Sequence, residues 1–128
     1  MTFLVIRDCR DGLLAVQLSE LLELAGGDVR RSEWRLSGLE CLGAGADALH
    51  AAAHSGEAIA GARLIELARD VYQVIDGDFY GRLPGAEREW IVIRAVDSSL
   101  YELETERPDL LAAIRRRFTD VTEVPHDG

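Results

Sequence analysis

A chain of 128 residues, 48% hydrophobic and 29% charged, is long enough to bury its own core without disulfide or metal staples, and it has the balance of a globular protein. No apolar run approaches the roughly 18 residues of a membrane helix, and an apolar N-terminal stretch that reaches charge at Arg7 without a basic leader lacks the form of a signal peptide, so the expected location is the cytoplasm. A formal net charge of -9 repels phosphate backbones, which disfavours direct nucleic-acid binding, and suits a partner with a basic surface; the plainer reading is that the charge only maintains solubility.

All 14 basic residues are arginine, and asparagine is also absent, the usage expected of a GC-rich genome, and a bacterium is the expected source. Lysine Schiff bases, a P-loop lysine and a lysine general base are thereby excluded. Cys9 and Cys41 stand far apart and form no CxxC pair, so they read as reduced, isolated thiols.

In chain order, Phe3 to Arg7 reads as a strand and Asp8 to Gly12 as a charged connection. Leu13 to Ala25 reads as a helix, with Leu14, Leu18, Leu21, Leu22 and Ala25 on one stripe, stopped by Gly26-Gly27. Arg31 to Cys41 reads as a strand broken near Ser37-Gly38, where the alternation of Trp34 and Leu36 changes phase, as at a bulge. Ala46 to His54 is a short Ala-rich helix. Ala62 to Ile75 carries the clearest helical period, followed by Asp76-Gly77-Asp78 as a turn and Phe79-Tyr80 as a short strand. Trp90 to Val96 is apolar on both faces apart from Arg94. Leu100 to Thr105 alternates, Tyr101 and Leu103 against Glu102 and Glu104, so the two form a hairpin of sheet strands. A last helix spans about Arg107 to Phe118, with Pro108 and Asp109 in its first turn and Arg115 to Arg117 at its end. Val121 to Val124 is a candidate edge strand, and 125–128 a loose tail. The expected architecture is a single α+β domain over 1–128, ordered across about 2–124: a small, mostly antiparallel sheet with three to four helices packed on it.

Each candidate site has a bland competitor. Asp47, His50 and His54 share one helix face and could ligate a metal, although Ala51 stands where an HExxH motif needs glutamate; the competing reading is a solvated face. Asp76 and Asp78 could bind a hard cation or simply form a turn, and with Phe79, Tyr80 and Trp34 they could anchor a protein partner. Arg94, charged inside the most apolar strand, either pairs with a carboxylate or holds an anionic ligand. Gly43 to Ala48 fits G-x-G-x-x-A, but Asp47 opposes a pyrophosphate and the surrounding βαβ pattern is missing. A cysteine paired with His50 or His54 could form a catalytic dyad only if the fold joined them, Ser98 and Ser99 lie in a turn, and His126 lies in the tail.

No catalytic set and no cofactor motif assembles in the sequence. The leading expectation is a small acidic bacterial protein that works by protein–protein binding, an immunity or antitoxin-like inhibitor of a basic partner. The alternative is a small enzyme or metal-dependent ligand binder centred on Asp47, His50 and His54. A homodimer joined through an apolar stripe or sheet edge is a third course.

Overall fold

The computed structural model describes residues 1–125. The tail and His126 thus lie, apart from Pro125, outside the described residues. Strand β1 (Thr2–Ile6) opens the chain, and a two-stranded hairpin of β2 (Cys9–Arg10) and β3 (Leu13–Leu14) follows it. Its turn residues Asp11 and Gly12 both have positive φ, 54° and 79°, the backbone of the tight hairpin turn for which Asp-Gly is a preferred pair. The helix expected from Leu13 therefore begins only at Leu18, as α1 (Leu18–Ala25). Leu14 sat at a helical spacing by coincidence, and it packs against the core from an extended backbone. A one-turn helix α2 (Asp28–Arg31) precedes β4 (Glu33–Gly43), whose pairing register shifts between Ser37 and Glu40, the bulge expected there.

Helix α3 (Ala46–Ser55), strand β5 (Ile59–Ala60) and helix α4 (Gly61–Arg69) come next. The chain then turns into the long strand β6 (Val71–Arg82), so the expected helix to Ile75 ends at Arg69. The stretch Val71, Tyr72, Val74 and Ile75 is β-branched and aromatic, and strand pairing overrides its helical spacing. The Asp76-Gly77-Asp78 turn is also corrected, because these residues run through the middle of β6. Gly77 is there for space: a Cβ on it would stand 2.6 Å from Leu39 Cδ1 at the β4 bulge. Strands β7 (Ile91–Val96) and β8 (Leu100–Thr105) form the expected hairpin, helix α5 (Pro108–Arg117) follows, and β9 (Val121–Val124) closes the chain.

The architecture is α+β, as expected, with five helices among the described residues where three to four were foreseen. Seven strands make one antiparallel sheet in the order β5-β4-β6-β7-β8-β1-β9. Register aligns Leu36, Phe79, Ile93, Leu103 and Leu4 across one face. These residues join Leu21 and Leu22 of α1, Leu49 of α3, Leu64 of α4 and Ile114 of α5 in a single core. Among the described residues no helix is long and apolar enough to cross a membrane.

Candidate functional site

Alternation along each strand sends the neighbours of those core residues to the opposite face. Register there lines up Ser37, Asp78, Arg94, Glu102 and Val5 in one row, and Arg35, Tyr80, Val92, Glu104 and Phe3 in the next. The helices bury their apolar residues in the core on the other side. Val5 and Val92, each 5% exposed, are the buried hydrophobic residues of the described chain that stand outside that core. Both lie nearly covered on this face, among the charged and polar side chains of the two rows.

Arg94 is the centre of this arrangement. Its Nη1 donates to Glu104 Oε1 at 3.1 Å, and its Nε lies 3.9 Å from Asp78 Oδ1. The Tyr80 hydroxyl donates to Asp78 Oδ2 at 3.2 Å. Partial burial works to lower the Arg94 pKa, but the Glu104 bond and the charges of Glu104 and Asp78 more than reverse this and hold it above its ordinary value. The guanidinium thus stays charged and fixed across three strands. Beside it runs an open groove of about 600 Å³, bounded by Met1, Arg35, Tyr80, Glu89 and Val92 and reaching Ala53 and Gly56 at the end of α3. Arg35 and Glu89 approach to 3.8 Å across it. Its lining includes neither cysteine nor histidine, and its serine, Ser37, stands opposite Asp78 in the strand register. Arg94, Glu104 and Asp78 are largely spent on one another, which fixes the pattern of charge on this face.

Of the residues singled out by sequence, the fold brings Asp78, Tyr80 and Arg94 together on this face. Phe79 and Trp34 are corrected: both are fully buried, Phe79 against the sheet core and Trp34 with its Nε1 donating to the Val29 carbonyl at 3.1 Å, so neither offers surface to a partner. Apolar aromatics in alternating strands were always candidates for the core. Asp76 Oδ1 accepts the Asp97 amide at 2.8 Å and so clamps the β7–β8 turn to β6.

The helix face of Asp47, His50 and His54 does not assemble a metal centre. Asp47 and His54 are exposed, whereas His50 turns to the sheet and its Nε2 accepts the Cys41 amide at 3.1 Å. The Nε2 lone pair needed for ligation is therefore occupied. Among the described residues no group of three His, Cys, Asp or Glu side chains is placed to hold a metal ion. The fold does join one of the cysteine–histidine pairs, with Cys41 Sγ 3.6 Å from His50 Nε2. Cys41 is buried, however, and burial pushes its thiol above the ordinary value, the opposite of what a nucleophile requires. The pair is a structural contact that satisfies an amide on a strand whose outer edge β5 covers only at Glu33 and Trp34.

Glu102, Glu104, Val5 and Val92 were not singled out as a site. The alternation in Leu100–Thr105 already sent both glutamates outward; the missing information was strand order, which places β7 between β6 and β8. No family model, curated protein or solved structure matches the chain.

Proposed function

We propose that the protein works by binding another protein, one with a basic surface, through the helix-free face of its sheet, and that it is an immunity or antitoxin-like inhibitor acting in the bacterial cytoplasm. The observation that carries this reading is the face itself: register gathers Asp78, Arg94, Glu102 and Glu104 on the side of the sheet away from the main core, beside an open groove of about 600 Å³. A fixed pattern of charge beside a groove is suited to recognition by charge complementarity. The net charge of -9 would steer a basic partner toward it. Glu102 is the residue to test first. It stands opposite Arg94 but forms no ion pair among the described residues, so Glu102→Gln removes a rim charge without placing a second cation beside Arg94. A basic protein retained by the wild type, released by salt and held more weakly by a Glu102→Gln variant of unchanged melting temperature would support the reading. Equal retention by that variant would sink the assignment of this face.

A further inference from the structure

We infer that the groove beneath the β2–β3 hairpin is a second binding site, and that its ligand is a small uncharged molecule with an apolar or aromatic body and a hydrogen-bond acceptor at one end. The groove lies at the opposite side of the sheet from the face described above, and the inference does not depend on that reading. It encloses about 430 Å³, within the range of roughly 300–1,000 Å³ in which small-molecule sites fall.

Its two rims carry the most exposed large hydrophobic residues of the described chain, Leu13 on the hairpin at 73% and Tyr72 on β6 at 65%. Exposed apolar residues scattered singly need no explanation, but these two face one groove over a floor of Val16, Val74 and Tyr101. None of the ten lining residues is charged, in a chain that is 29% charged. A charged ligand would find no counter-ion here and would lose its hydration, so the site selects a neutral one.

The acceptor is assigned by Tyr101. This side chain is 1% exposed, and its hydroxyl has no hydrogen-bond partner among the described residues. No side-chain oxygen or nitrogen in the described chain is both sealed from solvent and unpartnered, so this hydroxyl meets solvent through the groove that Tyr101 lines. A donor held at the base of an apolar slot fixes the polar end of a ligand. At the mouth, Gln73 Nε2 donates to Ser98 Oγ at 2.9 Å, which leaves the Ser98 hydrogen as a second donor.

The test is an amide-resolved NMR titration with 4-phenylbutan-2-one, a neutral ketone with an aryl group, beside 3-phenylpropanoate, its charged counterpart of the same length. The expected result is saturable shifts at Gly12, Gln73 and Ser98 with the ketone, at a dissociation constant on the order of 1 mM or below, and none with the carboxylate. Tyr101→Phe should keep the wild-type melting temperature and weaken the ketone about fivefold, the worth of one neutral hydrogen bond. Leu13→Ser, on an exposed rim, should fold normally and also weaken it. Absence of shifts at the groove, equal binding of the carboxylate, or undiminished binding by Tyr101→Phe would each overturn the proposal. So would a concentration-dependent dimer that Leu13→Ser dissociates, since the rims would then belong to a second copy.

Discussion

Asp8 shows how one carboxylate joins the two ends of the chain. Both its oxygens accept bonds from the loop after α5, with the Thr119 and Asp120 amides at 2.9 and 2.7 Å. Its slight burial works to raise the pKa, but these amides, the Thr119 hydroxyl and the charge of Arg117 outweigh it and hold the pKa below the usual carboxylate value. A group with a depressed folded-state pKa adds stability above its unfolded value, near 3.9, and that contribution is lost as pH falls through the folded value. Asp8→Asn should therefore lower stability at neutral pH by about 1 kcal/mol or less, because the site is solvent-screened, and the gap to wild type should narrow as pH falls below the unfolded value and through the depressed folded one. A gap that persists in acid would show that the charge is not what holds the loop. The two cysteines separate as cleanly. Cys9 is exposed and Cys41 is buried against His50. One thiol should react promptly with an aromatic disulfide reagent in the native protein, and the second only on unfolding. His50→Ala should leave the Cys41 amide without its acceptor, destabilise the fold by about 1–3 kcal/mol and speed reaction of the second thiol.

At the scale of elements, the close seat of α4 on α2 is the sharpest constraint. The Gly61 amide donates to the Ser32 carbonyl at 2.9 Å, and a Cβ on Gly61 would stand 1.8 Å from the Val29 carbonyl oxygen. Backbone cannot yield as a side-chain tip can, so Gly61→Ala must push α4 off α2 and β4. The expected loss is roughly 3 kcal/mol or more, the high end for overpacking, read as a lower urea midpoint. A midpoint within error of wild type would mean that the two helices are not held at this distance. Contacts of this kind are what the sequence conceals. The β7–β8 hairpin, α5, the β4 bulge and β9 were legible because local alternation, Pro108 and turn residues report local geometry. The passage from α4 into β6 was not. Leu64, Leu67, Val71 and Ile75 fit a helical period while Val71, Tyr72 and Val74 fit a strand, and only pairing with β4 decides between them. Gly77 misled for the same reason: a glycine between aspartates suits a turn, yet here it admits Leu39 from the neighbouring strand. On the helix-free face Arg94, Asp78 and Tyr80 were each noticed, but their meeting depended on strand order. The reverse held for Trp34 and Phe79, whose aromatic chemistry suggested an anchor and whose alternation placed them inside.

Across the whole molecule, sheet order sets a gradient of stability. Strand β7 is the fourth of seven, paired on both sides, with Ile91, Ile93 and Ala95 in the core and Val92 buried on the far face. Strand β9 forms one edge and pairs only with β1, and the β2–β3 hairpin stands outside the main sheet. Local opening is easiest where few apolar contacts and few backbone partners must be given up. Amide hydrogen exchange should therefore be slowest in β7 and its neighbours β6 and β8, and fastest in β9 and the hairpin. The gradient bears on both surfaces. The face around Arg94 is built on the strands expected to exchange slowest, so the partner proposed for it should find a preformed pattern and leave β7 exchange at the global limit. The hairpin groove has one rim, Leu13, on the least protected element, with the other and the floor on the sheet and the segment before α1. Occupancy by the ketone should therefore slow exchange at Cys9–Leu14 selectively, with β9 as an internal control that does not change. Equal slowing of β9 and the hairpin would instead mark a general stabilisation by mass action, with the ligand seated elsewhere.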